Sequence, residues 1–110
     1  MTLGELITAL DVDIAVQAGL ERPVASGYTC DLLSEVIAKA APGSVWVTIQ
    51  THINVVAVAA MVGISAIIVC EGRTCEPDVI SHAVKEGIVL LYSKDSAFAV
   101  SGRLYELGLR

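Results

Sequence analysis

Apolar and polar positions follow a loose repeat in which an apolar helical stretch ends near a glycine and a β-branched run comes next. Gly43, Gly63 and Gly87 occupy these ends and suit the left-handed conformation just past a helix. The three instances are KAAPGSVWVTI (39–49), AAMVGISAIIV (59–69) and AVKEGIVLLY (83–92). Helix–strand alternation requires crossover connections. The repeat therefore predicts a single α/β domain with a mostly parallel sheet and helices on both faces.

The apolar runs at 45–49, 66–70 and 88–92 are predicted as strands buried on both faces. Helices are predicted at 31–41, 53–62, 77–86 and 95–107, the last capped by Ser93 or Asp95. Apolar stripes are expected from Leu32, Leu33, Val36, Ile37 and Ala40, and from Val79, Ile80, Ala83 and Val84, with His82 facing solvent. The 53–62 helix has almost no polar face, so it is either sandwiched in the core or part of an interface.

The N-terminal third has a different pattern. Thr2 and Glu5 form a capping box for a helix reaching about Leu10. Alternating Val12, Ile14 and Val16 then predict a half-buried strand, with a turn at 18–21 and a short strand at 24–25. The expected organisation is one domain over 1–110, with N-terminal helix and strands at 1–28 and a β-α repeat core at 29–108. The positions of the N-terminal strands in the sheet stay open.

The composition is unusually apolar, since 55% of the residues are apolar and only 17% are charged. It indicates that the chain enters a membrane, has a very aliphatic core, or buries apolar surface against a partner. The stretch 53–70 is long enough to span a bilayer. However, Gly63 and Ser65 interrupt it, and it changes there from alanine-rich to β-branched. A buried helix followed by a buried strand accounts for that change, so no membrane segment is expected.

The net charge of −5 and the absence of a basic run exclude nucleic-acid binding through phosphate neutralisation. The chain has three cysteines, Cys30, Cys70 and Cys75, which is an odd number, and no secretory signal precedes them. We expect free thiols in a reducing cytoplasm. The cysteines and the two histidines lack zinc-site spacing, so neither a metal nor another cofactor is expected.

Candidate binding residues cluster where the predicted strands end, because ligands of open parallel sheets sit at the carboxyl ends of the strands. These candidates are Thr48, Gln50, Thr51, His52, Asn54, Glu71, Gly72, Arg73, Ser93, Asp95 and Ser96. Helix capping is the alternative explanation for several of them, with Thr51, Thr74 and Ser93 or Asp95 as the expected caps. Phosphate-loop, dinucleotide-binding and serine-hydrolase motifs are missing. A Cys70–His52 pair is conceivable, but a thiol in the run IIVC would be buried and inert.

The chain resembles the DRTGG domain family over about residues 1–108. The most specific matching segments are Asp31-Leu32-Leu33-Ser34, Trp46-Val47-Thr48, Gln50-Thr51-His52, and Ser96-Ala97-Phe98 running into Gly102-Arg103-Leu104-Tyr105. The resemblance implies an α/β fold similar to the N-terminal domain of HPr kinase/phosphorylase. It also implies a regulatory or scaffolding role. Gln50-Thr51-His52 stands where fused relatives tend to have Gly-Asp-Arg, and Glu71-Gly72-Arg73 replaces a Gly-Gly pair.

Three functional hypotheses follow. The first is a non-enzymatic, cytoplasmic regulatory module, a homodimer that binds a small ligand or a protein partner at the strand ends. A nucleotide or other phosphate-bearing metabolite is the expected ligand. The second is an interaction subunit for a redox system, because small stand-alone members resembling this chain are encoded near iron-only hydrogenases. The third is a small enzyme with His52 and Asp95 as acid–base groups.

Overall fold

The computed structural model describes all residues, 1–110, as five strands and five helices in one α/β domain. The helices and strands alternate after residue 25, as the repeat predicts. In chain order they are α1 (Leu3–Ala9), β1 (Asp13–Val16), β2 (Ser26–Thr29), α2 (Leu33–Lys39), β3 (Ser44–Thr48), α3 (Asn54–Val62), β4 (Ala66–Val69), α4 (Pro77–Glu86), β5 (Val89–Tyr92) and α5 (Ala97–Glu106).

One five-stranded sheet has the order β1-β5-β4-β3-β2. Strands β2 to β5 are parallel neighbours, whereas β1 pairs antiparallel with β5 at one edge. The prediction of a mostly parallel sheet is confirmed, and the two N-terminal strands form its two edges. The antiparallel pairing places Asp13 opposite Tyr92, so β1 begins at the end where the parallel strands finish.

Helices cover both faces of the sheet, as predicted. On one face, α1 and α5 pack through Leu3, Leu6, Val100 and Leu104 against alternate strand residues such as Val47. On the other face, α2, α3 and α4 pack against Trp46 and its neighbours on β4 and β5. This is the expected result of consecutive right-handed crossovers between sequential parallel strands, which place all three connecting helices on one side.

Helix α3 belongs mainly to the core. Val55, Val56, Val58 and Ala59 are buried, so sandwiching explains most of the missing polar face. Its outward side is formed by Ala57, Ala60 and Met61. None of the five helices has the length and apolar character needed to cross a bilayer.

Glycines end two of the helices as expected, since Gly63 and Gly87 adopt left-handed conformations with φ of +85° and +67°. The capping box of Thr2 and Glu5 is present at α1. Other details were wrong. The cap of α5 is Ser96, not Ser93 or Asp95, and the second strand lies at 26–29 rather than 24–25.

The predicted apolar stripes are only partly buried. Leu32, Ile37 and Val84 are exposed, because short helices on a narrow sheet bury only the residues that face it. The alternation at Val12, Ile14 and Val16 is broken by a bulge between Ile14 and Val16, which leaves Ile14 exposed. His82 was expected in solvent but is half-buried, 3.8 Å from the carboxylate of Glu86.

Candidate functional site

The carboxyl ends of β2 to β5 and the start of β1 lie together at one end of the strands, and we call this end of the sheet the strand-end rim. It comprises residues 30–32, 48–54, 70–75 and 92–96, together with 11–13. All of the predicted site residues lie along it. The structure divides them between two halves, one at β2 and β3 and the other at β4, β5 and β1.

In the β2–β3 half, Asp31 organises the polar groups. Its carboxylate oxygen Oδ1 accepts hydrogen bonds from the Thr48 hydroxyl at 2.8 Å and from the Ile49 N–H at 2.9 Å. Its backbone carbonyl accepts a bond from the Gln50 side-chain amide at 2.9 Å. Thr48 is fully buried, and its hydroxyl also accepts from the Gln50 N–H. Thr48 and Gln50 are therefore engaged in holding the end of β2 to the end of β3.

The following turn, 51–54, starts α3 without the predicted threonine cap. His52 Nδ1 accepts a hydrogen bond from the Asn54 N–H at 3.2 Å, and the cap position is Ile53, which offers no side-chain bond. Thr51 makes no side-chain cap at this helix. At α4 the cap position is Glu76, again without a side-chain bond, so the predicted capping by Thr74 is also wrong.

In the second half, the loop after β4 is joined to the end of β5. The Glu71 N–H donates to the Asp95 carbonyl at 2.8 Å, and the Gly72 N–H donates to the Ser93 carbonyl at 3.0 Å. Both residues are left-handed, with φ of +65° and +68°. These two amides are thus already paired with protein oxygens, and only side chains at this loop are left to contact a ligand.

Ser93, Asp95 and Ser96 have structural partners as well. The Ser93 hydroxyl accepts from the Asp95 N–H, and the Ser96 hydroxyl accepts from the Ala99 N–H as the cap of α5. The Asp95 carboxylate forms an ion pair with Arg103 at 2.7 Å. These bonds fix the turn that carries Lys94.

Two cavities open beside that turn, and they share Asp13, Tyr92 and Lys94. One has a volume of about 190 Å³ and is also lined by Asp11 and Asp95. The other has about 160 Å³ and is also lined by Gly72, Arg73, Thr74 and Ser93. We call them together the β1–β5 pocket. Neither Arg73 nor Lys94 forms an ion pair within the chain, so both cations are available to a ligand.

Sequence reasoning missed Asp11, Asp13, Tyr92 and Lys94 as site residues. Lys94 stood beside the predicted residues and could have been included from its place in the strand-end turn. Asp11 and Asp13 carried no such signal, because they reach the rim only through the antiparallel pairing of β1 with β5. Tyr92 ends β5, and its hydroxyl accepts a hydrogen bond from the Cys75 N–H at 3.0 Å.

Cys70 lies between the two halves and is fully buried. Burial, with smaller contributions from the nearby carboxylates of Glu71, Asp31 and Asp95, raises the pKa of its thiol to about 11. A thiol in this environment stays protonated at neutral pH and is a poor nucleophile. The structure agrees with the expectation that Cys70 is inert.

The acid–base pair of the enzyme hypothesis is not brought together. His52 is engaged with the backbone at the start of α3, whereas Asp95 is paired with Arg103 beyond the end of β5. No cavity is lined by both residues. The rim also contains no group of three histidine, cysteine or acidic side chains arranged to hold a metal ion.

No protein-family model matches the chain, and no curated protein matches its sequence. Among solved structures it is similar to the CBS and DRTGG domains of the regulatory region of Clostridium perfringens pyrophosphatase, complexed with its activator diadenosine tetraphosphate. The chain has the fold found in that region. The TM-score is 0.72 at 13% sequence identity, and the match covers 94% of this chain and 45% of the other. The chain thus spans less than half of the pyrophosphatase regulatory region.

Proposed function

We propose that this chain is a non-enzymatic regulatory module of the DRTGG type that binds a nucleotide or other phosphate-bearing metabolite in the β1–β5 pocket. The observation that carries the proposal is the fold, which it shares with a regulatory region that binds a dinucleotide activator. The pocket adds the chemistry, because it combines free cations with carboxylates at the carboxyl ends of parallel strands.

Arg73 and Lys94 are the groups proposed to bind phosphate. Both line the same cavity, and neither is neutralised by an acidic side chain of the chain itself. A guanidinium can contact two phosphate oxygens at once, while a lysine ammonium supplies a compact charge. At this pocket, their two positive charges offset the negative charges of the surrounding carboxylates.

Asp11 and Asp13 are the groups proposed to bind ribose. Both line the cavity that also contains Lys94. Carboxylates repel phosphate but accept hydrogen bonds from ribose hydroxyls, as in dinucleotide-binding folds. An arrangement of two cations beside two carboxylates therefore suits a nucleotide better than inorganic phosphate.

The size of the pocket sets a limit on the ligand. The two cavities, of about 190 and 160 Å³, together reach the lower end of the range of roughly 300–1,000 Å³ typical of ligand sites. One nucleotide unit with its phosphates fits this space better than a whole dinucleotide. We further propose that the module acts in the cytoplasm as a homodimer.

Thermal unfolding in the presence of AMP, ADP, ATP, diadenosine tetraphosphate and inorganic phosphate tests the site. A nucleotide at one hundred times its dissociation constant adds about 2.7 kcal/mol to the free energy of unfolding. For a domain of this size that raises the melting temperature by roughly 10 °C. Arg73→Ala and Lys94→Ala should each reduce the shift at the same ligand concentration.

Lys85→Ala is the matched control, because Lys85 is an exposed cation near the end of α4 away from the rim. It should keep the full shift. The proposal is wrong if no nucleotide raises the melting temperature. It is also wrong if a nucleotide does so equally in the wild type, Arg73→Ala and Lys94→Ala.

A further inference from the structure

The two edges of the sheet differ in how they resist pairing with another strand. Edge strand β1 contains a bulge and the charged Asp13, which are common protections against edge-to-edge association. Edge strand β2, with the sequence Ser-Gly-Tyr-Thr, has no charge, no proline and no bulge. The β2 edge is therefore free to accept a further strand.

The backbone of β2 offers a defined set of unpaired groups. The Cys30 N–H donates to the Val47 carbonyl on the β3 side. Alternation along the strand then directs the backbone groups of Tyr28 toward β3 as well, and the N–H and C=O groups of Gly27 and Thr29 outward. These two outward residues form a self-complementary pattern, because an antiparallel copy places Gly27 opposite Thr29 with Tyr28 at the two-fold axis.

Helix α5 lies beside this edge and carries two exposed aromatic rings. The Thr29 and Ser101 hydroxyls are 2.6 Å apart, which joins the helix to the strand. Tyr105 is 58% exposed, and Phe98, the only phenylalanine of the chain, is 89% exposed. Seven residues apart on a helix, the two rings lie on the same side, with the small residues Ser101 and Gly102 between them.

We infer that the β2 edge and the outer side of α5 form the interface with a second copy of this chain, which deepens the homodimer proposal and rests on it. The two β2 strands pair antiparallel and extend the sheet across the two-fold axis. The two α5 helices then run antiparallel on one face of that sheet. Phe98 of each copy packs against Tyr105 of the other, and Ser101 and Gly102 allow the helices to approach.

The exposed rings provide about half of the area that such an interface needs. From their exposed fractions, Phe98 and Tyr105 offer on the order of 600 Å² over two copies. A specific interface buries about 1,200 Å² or more in total. The paired strand edges and Arg110, which lies 4.6 Å from the Tyr105 ring centre, adjoin the rings and add to this area.

The charge distribution also favours a second copy at this place. Two chains of net charge −5 repel one another, so they should meet where carboxylates are absent. The groove between β2 and α5 is lined by Gly27, Thr29, Ser101, Leu104, Tyr105 and Leu109, together with Arg110, and by no acidic residue. The carboxylates of Asp11 and Asp13 lie at the opposite edge of the sheet.

Light scattering and sedimentation equilibrium of the wild type, Phe98→Glu and Met61→Glu test the interface. Both substitutions place a charge at an exposed apolar position of a helix, Phe98 on α5 and Met61, which is 69% exposed, on α3. We expect a wild-type dimer at micromolar concentration. Loss of a central aromatic anchor should raise the dissociation constant at least about 100-fold in Phe98→Glu, whereas Met61→Glu should stay dimeric.

Amide hydrogen exchange adds a residue-level readout, in which the amides of Gly27 and Thr29 exchange more slowly in the wild type than in Phe98→Glu. A wild type that is monomeric at micromolar concentration overturns both the dimer and its interface. A dimer that survives Phe98→Glu, or that Met61→Glu dissociates, overturns the interface alone. The nucleotide site is judged separately, from the thermal shift of Phe98→Glu, whose Arg73 and Lys94 are intact.

Discussion

The two halves of the strand-end rim are built from similar polar residues but use them differently. At β2 and β3, the hydrogen-bonding groups of Asp31, Thr48 and Gln50 are directed at one another. At β4, β5 and β1, the backbone is also paired, but the charged side chains of Arg73 and Lys94 are left without ionic partners beside two cavities. We call these the closed half and the open half.

A cluster of polar residues at strand ends is therefore not by itself a binding site. Gln50, Thr51, His52 and Asn54 form a concentrated polar run, yet none of them lines a cavity. In the closed half, hydrogen bonding stabilises the fold. In the open half, unpaired charge beside a cavity remains available for function. Substitutions should therefore affect stability in one half and ligand response in the other.

The largest expected effect on stability is from Asp31→Ala in the closed half. It removes the acceptor for the Thr48 hydroxyl and the Ile49 N–H, and Thr48 is fully buried. The loss of bonds to a charged acceptor should lower the free energy of unfolding by about 2 kcal/mol. Thermal unfolding should show a melting temperature lower by roughly 8 °C.

Two variants sharpen this prediction. Asp31→Asn keeps an accepting oxygen and should recover more than half of the loss. Asp13→Ala makes the same change in the open half and should cost less than about 0.5 kcal/mol, since such surface substitutions are usually neutral. If Asp31→Ala and Asp13→Ala are equally destabilising, the distinction between the halves is wrong.

Cys70, between the halves, gives an effect that reaches its full size only at high pH. Its folded-state pKa is raised to about 11, so the folded state resists losing the proton more than the unfolded state does. The stabilisation is complete below the ordinary thiol pKa near 8.5 and is lost as pH rises through about 11. Over this window we expect the free energy of unfolding to fall by up to about 2 kcal/mol from this group.

Denaturant unfolding of the wild type and Cys70→Ala at several pH values between 8 and about 11 measures this contribution. The wild type should be the more stable protein at pH 8, and its advantage should shrink as pH rises. An advantage that stays constant to pH 11 would show that the Cys70 thiol is not held in the protonated form by its surroundings.

The smallest effect is expected from Glu71→Gly in the open half. Glu71 has a φ of +65°, a conformation that disfavours a side chain with a β-carbon. Glycine relieves this strain, but it also makes the unfolded chain more flexible, which favours unfolding. The net effect should be a rise of about 0.5 kcal/mol in the free energy of unfolding. Glu71→Ala, which removes the carboxylate but keeps the β-carbon, should give no such gain in denaturant unfolding.

The fold was largely predictable because its signals are local. Gly63 and Gly87 end helices in the left-handed conformation, and β-branched runs follow them as buried parallel strands. The position of β1 was not predictable, since strand order depends on which edge remains open after the parallel core has formed. Its bulge likewise depends on pairing with β5 and has no glycine or proline to mark it.

The candidate site was predictable only in part. Arg73, Ser93 and Asp95 follow directly from the rule that strand ends carry ligands. Asp11 and Asp13 required knowledge of the antiparallel pairing, since they are distant in sequence from the other rim residues. The engagement of Gln50 with Asp31 also required the structure, because no sequence pattern shows whether a polar side chain has a partner within the fold.

Residue-resolved amide chemical shifts, recorded by NMR during titration with the nucleotide that stabilises the protein most, locate the bound ligand on the rim. A ligand in the β1–β5 pocket should cause the largest changes at the amides of Asp13, Arg73 and Lys94, with little change from Gln50 to Asn54. Changes concentrated from Gln50 to Asn54 would place the ligand in the closed half and rule out the β1–β5 pocket as its site.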